Sequence, residues 1–216
     1  MIRLDIFSDP ICPWCYIGKT FLDRALESRP NHQFAVEWHP FQLNPDMPRE
    51  GHDRRAYLEA KFGGKAQAVK VYARIAEAAE AAGLEISFDR IARTPNTLDA
   101  HRLIHWAGLE GRQNAVVAAL FRAYFREGRD IGDAATLAEI GAQAGMDGAL
   151  TARLLATDAD RDDIVARDGD ARSKGVSAVP TFLIAGQYVL SGAQPVPLWQ
   201  QVIDELSSQV TEGGAA

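Results

Sequence analysis

The chain has 216 residues, 47% of them hydrophobic, which is enough to bury a sizeable core and marks a globular protein of one large domain or one domain with an insertion. Basic residues number 23 against 29 acids, giving a net charge of -6 and a pI near 5.4, and they are scattered. That distribution offers no positive field to nucleic acid or anionic lipid, so neither partner is expected.

In chain order, Ile2, Leu4 and Ile6 alternate with Arg3 and Asp5, the period of a half-buried strand. Arg3 and Asp5 also interrupt what would have to be the apolar region of a signal peptide, and no apolar run of membrane-spanning length follows. A cytoplasmic, reducing location is therefore expected. From Trp14 the period becomes helical through Ile17, Phe21, Leu22, Ala25 and Leu26, until "SRPN" stops the helix at Pro30. Phe34, Val36 and Trp38 then alternate with Ala35, Glu37 and His39 as a second strand. The opening reads β-α-β, a right-handed crossover between parallel strands.

Residues 50 to 170 are rich in alanine and charge, with apolar stripes at helical spacing. Ala68, Tyr72, Ile75 and Ala79 form one stripe, Val117, Leu120, Phe121 and Tyr124 another, and Leu137, Ile140 and Ala144 a third. These predict separate helices broken at "FGGK", "RTPN", "EGR" and "AGMDG", with the stripes used for packing. Strand character returns as a hairpin, Thr181–Ile184 and Tyr188–Leu190 joined by Ala185-Gly186-Gln187. A helix around Leu198 to Leu206 closes the chain, and "TEGGAA" reads as a frayed tail over 211–216.

The only two cysteines, Cys12 and Cys15, stand in "DIFSDPICPWCYIGK" where strand hands over to helix. In a reducing compartment such a pair is catalytic or metal-binding rather than a permanent staple. At a helix start, free backbone N–H groups and the positive end of the dipole favour a thiolate, and such a position within Cys-x-x-Cys lowers a cysteine pKa from about 8.5 to roughly 3.5–7.5. Cys15, one turn further in, is expected to be less exposed, so Cys12 attacks and Cys15 resolves. Pro13 suits the first helical position, and Trp14 is expected in a loop, its exposed ring offering a surface to apolar substrate. A zinc site would need two further ligands, for which His101 and His105 share a helix face at i, i+4. A haem attachment would need a histidine at position 16, which is Tyr. No metal is expected.

"SDPICPWCYIGK", with "GVSAVPTFLI" and "YVLSGAQP" far downstream, resembles the DsbA-like branch of the thioredoxin superfamily, in particular its FrnE-like cytoplasmic oxidoreductases. The resemblance covers nearly the whole chain. It implies an α/β, thioredoxin-like fold with a large all-helical insertion domain: a discontinuous thioredoxin-like domain at 1–48 and 172–210, and the insertion at 49–171. It implies a cis Val179-Pro180 peptide beside Cys12, with the backbone before Pro180 pairing to an extended substrate. Cys12, Cys15 and Pro180 then carry catalysis, while Pro13, Trp14 and Val179 contact the disulfide or dithiol substrate. No cofactor is implied, with glutathione as an optional co-substrate. A second branch of the superfamily contains glutathione-using enzymes that resemble 2-hydroxychromene-2-carboxylate isomerase and the kappa-class transferases. They characteristically carry Ser where this chain has Cys12, so the pair of cysteines favours thiol–disulfide chemistry. "PNTLDAHRLIHWA", with Asn96 as helix cap and Asp99 three residues on, is the segment expected to face the cysteines, and His101 is its candidate for touching a small ligand.

Overall fold

In the computed structural model residues 1–213 are described, with side chains to Ser208. Strand β1 (Ile2–Ser8), helix α1 (Pro13–Glu27) and strand β2 (Phe34–Pro40) form the opening unit, and β1 and β2 pair in parallel as expected. Helix α1 ends three residues before Pro30, whose ring disfavours helical backbone at its predecessor. The C-terminal hairpin is β5 (Thr181–Ile184) and β6 (Tyr188–Ser191), one residue longer than the alternation suggested. Ala185 and Gly186 in its turn have φ of 53° and 69°. The sheet runs β2-β1-β5-β6, with β1 antiparallel to β5.

Leu4, Ile6 and Phe182 are fully buried on one face of this sheet. Helix α9 (Val196–Gly213) lays Trp199 edge-on against Phe182, ring centroids 4.8 Å apart. Each such side chain contributes roughly 1.5–3 kcal/mol by leaving water. The first three residues of the expected tail belong to α9, and the rest, 214–216, lies outside the described residues.

Between β2 and β5 the chain is helical: α2 (Arg54–Phe62), α3 (Lys65–Ala81), α4 (Leu98–Leu109), α5 (Gln113–Phe125), α6 (Ala134–Gln143), α7 (Gly148–Leu155) and α8 (Arg161–Ser173). Aspartates 53, 133 and 147 accept first-turn amides of α2, α6 and α7, satisfying donors that have no intrahelical partner. The one departure from helix is a ribbon of β3 (His52–Asp53) with β4 (Arg93–Thr94) and the 3₁₀ turn Phe88–Arg90. Helix α8 carries no readable apolar stripe because the middle of its buried row, Ile164, Asp168 and Ala171, is an aspartate. It runs through position 171.

The insert shares a core with the sheet. Tyr16 of α1 stacks on Phe121 and Phe125 of α5, at 5.2 and 5.6 Å. Strand β2 is an edge, and α5 covers part of it through Gln113: its side-chain oxygen accepts the Trp38 amide at 2.8 Å and its nitrogen donates to the Trp38 carbonyl at 3.1 Å. A single side-chain amide there does what a neighbouring strand would do.

Candidate active site

Cys12 is the N-cap of α1, with extended backbone angles, and Pro13 is the first helical residue, where a missing N–H costs nothing. The Cys12 carbonyl accepts the amides of Cys15 and Tyr16 at 3.1 and 3.2 Å, opening the helix. Its own amide donates to the Asp9 carbonyl at 2.9 Å, closing the turn between β1 and α1. Its thiol donates to the Val179 carbonyl at 3.6 Å, and the Val179-Pro180 peptide is cis. Just ahead of it Ser177 and Ala178 are exposed residues and Val179 is half-buried, with the Ala178 carbonyl accepting the Thr181 hydroxyl at 2.7 Å.

Both cysteines are free thiols. Cys12 is 4% exposed and Cys15 1%, the expected order, although Cys12 is itself buried. Burial pushes the Cys15 thiol well above its ordinary pKa, reinforced by its interaction with Cys12 and opposed by the Asp9 amide and the Ser8 hydroxyl. Trp14 is 39% exposed, but it sits in the first turn of α1 rather than in a loop. Pro13 beside it is buried.

His101 lies inside the molecule, 3% exposed, on a helix whose N-cap is Thr97 rather than Asn96. Asn96 still serves that helix end, its oxygen accepting the Leu98 amide at 2.9 Å while its nitrogen donates to the Met47 carbonyl. Asp99 binds Arg102 at 2.8 Å. The His101 ring comes within 4.0 Å of the Asp9 carboxylate, and its Nε2 has no hydrogen-bond partner among the described residues. Burial lowers its pKa to about 4, with Asp168 opposing, so the ring is neutral at pH 7. Cys12, Cys15, His101 and His105 do not gather as metal ligands; among the described residues the one such cluster is Asp5, Glu37 and His39, where Arg3 already bridges the carboxylates.

Asp9 was not singled out in the sequence. It is fully buried, accepts the amides of Leu43 and Ile11 at 2.6 and 3.3 Å, and is raised by burial to about 7 despite those bonds. Asp168 of α8 adds its charge nearby, held by the Gln42 amide and Arg172. The signal available was the Asp-Pro dipeptide three residues ahead of Cys12, a turn former whose carboxylate bonds backbone two residues on. Nothing in the order of residues marked its meeting with His101.

No described helix is long and apolar enough to cross a membrane. The chain is 27% identical over 207 residues to the uncharacterized protein YwbO of Bacillus subtilis, covering 94% of this chain and 96% of that one. It matches the crystal structure of the probable DsbA oxidoreductase SCO1869 from Streptomyces coelicolor at a TM-score of 0.84 and 31% identity, over 95% of this chain and 89% of that one. The cytosolic disulfide reductase DsbM from Pseudomonas aeruginosa, solved with GSH, shares the fold at 0.69 and 21% identity, over 97% and 99%. The DSBA-like thioredoxin domain matches residues 3–204, nearly the whole length over which the strands, the helical block and the Cys12 turn have been traced, and the chain belongs to that family.

Proposed function

We propose that the protein is a thiol–disulfide oxidoreductase whose Cys12 and Cys15 exchange with disulfides or dithiols in a reducing, cytoplasmic setting. The observation that carries this reading is the Cys12 sulfur at the N-cap of α1, 3.6 Å from the Val179 carbonyl, with Cys15 one turn behind it. The sulfur thus stands at the amino end of the helix dipole.

In the reducing direction the Cys12 thiolate attacks one sulfur of a substrate disulfide, forming a mixed disulfide and expelling the other sulfur as a thiolate. Cys15 then gives its proton to the thiolate just expelled and attacks the Cys12 sulfur. The Cys12–Cys15 disulfide forms, the second substrate thiolate leaves, and two electrons have passed to the substrate. An external thiol returns the pair to the dithiol; glutathione is the proposed reductant, the molecule named with DsbM. Run backwards, the same steps oxidise a dithiol. Pro180 shapes the far wall of the site, the segment before it pairs with an extended substrate, and Trp14 offers an apolar surface beside the sulfur. His101, buried 4.0 Å from the Asp9 carboxylate, is not a substrate contact in this reading.

The test is insulin reduction with dithiothreitol. Cys12→Ser is expected to lower the rate to the uncatalysed background, and undiminished activity overturns the reading.

A further inference from the structure

Away from the cysteines, a cavity of about 850 Å³ runs along the outer edge of β2, between the turn joining α4 to α5 and helix α8. Its size falls in the range of ligand-binding clefts, about 300–1,000 Å³. Two features of its walls bear on what it takes.

The first is the backbone of β2. The Ile2 amide donates to the Gln33 carbonyl, so in this parallel pair the odd-numbered residues of β2 turn their amide and carbonyl toward β1. The even-numbered ones face outward. Trp38 shows this directly, since both its backbone groups are taken by the Gln113 side chain. Val36, two residues earlier and half-buried, turns its amide and carbonyl the same way into the cavity. An exposed edge of this kind is a template for a further strand.

The second is charge. Arg3, Arg112, Arg167 and the imidazole of His105 line the cavity; Arg3 is already taken by Asp5 at 2.7 Å and by Glu37, the only carboxylate among the lining residues, at 3.4 Å, which leaves Arg112 and Arg167 to face it. Arg112 makes no ion pair among the described residues, and Arg167 pairs only with Asp163 of its own helix. Leu109, 76% exposed, and Ile164 supply apolar wall. A chain with net charge -6 thus sets two arginines, Arg112 and Arg167, beside the stretch of its parallel edge that Gln113 leaves open.

We propose that this groove docks an extended, acidic peptide segment of a partner protein, which adds to the edge of β2 at Val36 and meets Arg112 and Arg167 with its carboxylates. Gln113 ends the available edge at Trp38, so the added strand is short and side-chain charge supplies selectivity. This surface does not depend on the redox chemistry of the cysteines.

The experiment is fluorescence anisotropy with a labelled, end-capped octapeptide of alternating Asp and Val, with the Lys and Val counterpart as control. Saturable binding of the acidic peptide that weakens with salt, and at least tenfold weaker binding by R112E/R167A of unchanged thermal stability, is the expected result. Amide resonances of Val36 and its neighbours on β2 should shift on titration of the wild-type protein. Equal binding of the basic peptide, undiminished binding by the variant, no saturable binding, or full displacement of the peptide by millimolar inorganic phosphate would each overturn the proposal, the last reassigning the groove to small anions.

Discussion

The Cys12 thiol and the Val179 carbonyl meet at 3.6 Å although 167 positions separate them along the chain. Strand β5, directly after Val179 and Pro180, pairs antiparallel with β1, directly before the Cys12 turn, with Phe7 opposite Thr181. That single ladder carries the downstream loop to the first cysteine, so the pairing of β1 with β5 builds the site.

The division of labour between the cysteines gives the first prediction. Cys15→Ala should leave Cys12 able to attack and nothing to release the product, so mixed disulfides with substrate accumulate. Intact-mass spectrometry after incubation with an oxidised peptide should show a stoichiometric adduct on Cys15→Ala and none on Cys12→Ser. Equal adduct formation on both variants would reverse the assignment.

Asp9 and His101 predict opposite pH dependences of stability. The Asp9 carboxyl is about 7 when folded against an ordinary 3.8, so its contribution is complete below about pH 4 and is lost as pH rises toward 7. His101 is about 4 folded against 6.5, so its contribution is complete above about pH 6.5 and is lost as pH falls toward 4. The two largely cancel across the same window. Urea unfolding at a series of pH values should therefore show Asp9→Asn gaining stability as pH rises from 4 to 6.5, and His101→Gln losing it from 4 to 7, each by on the order of 3 kcal/mol. Parallel profiles in the two variants would contradict this account.

Arg102 is a structural cation. Its guanidinium is fully buried, bonds Asp99 at 2.8 Å, and donates to the carbonyls of Leu154, Thr157 and Ala159, tying α4 to the turn before α8. Arg102→Met keeps much of the volume but removes the donor to the Thr157 and Ala159 carbonyls and the close cation on the Asp99 carboxylate, each costing about 1–3 kcal/mol. A loss of about 3 kcal/mol or more is expected by chemical denaturation, with thiol reactivity of the remaining folded fraction unchanged.

Trp14 is exposed on the first turn of α1 and bonds to nothing buried. Trp14→Ala should change stability by less than about 0.5 kcal/mol. If the ring is a substrate surface, KM for disulfide peptides with apolar flanks should rise severalfold, while a small disulfide such as oxidised glutathione is turned over as before.

The β-α-β opening, the hairpin and the Cys12 turn were legible in the chain because each depends on periodicity of two or 3.6 residues and on the local geometry of proline and helix ends. Pro13 at the start of α1 and the order of exposure of Cys12 and Cys15 follow from position in one helix. The cis peptide at Pro180 came instead from the family resemblance, since local chemistry makes it the minor outcome.

What the order of residues determined by itself, then, was the cysteine pair at the head of a helix on an α/β scaffold. Only the tertiary structure decided its surroundings: Asp9, His101 and Asp168 come from a loop and two helices that show no common pattern, and Gln113 meets the edge of β2 across 75 positions. The physical reason is desolvation. A side chain's proton affinity and a strand's free edge depend on what else is packed against them, and that is settled by the whole fold rather than by neighbours in the chain.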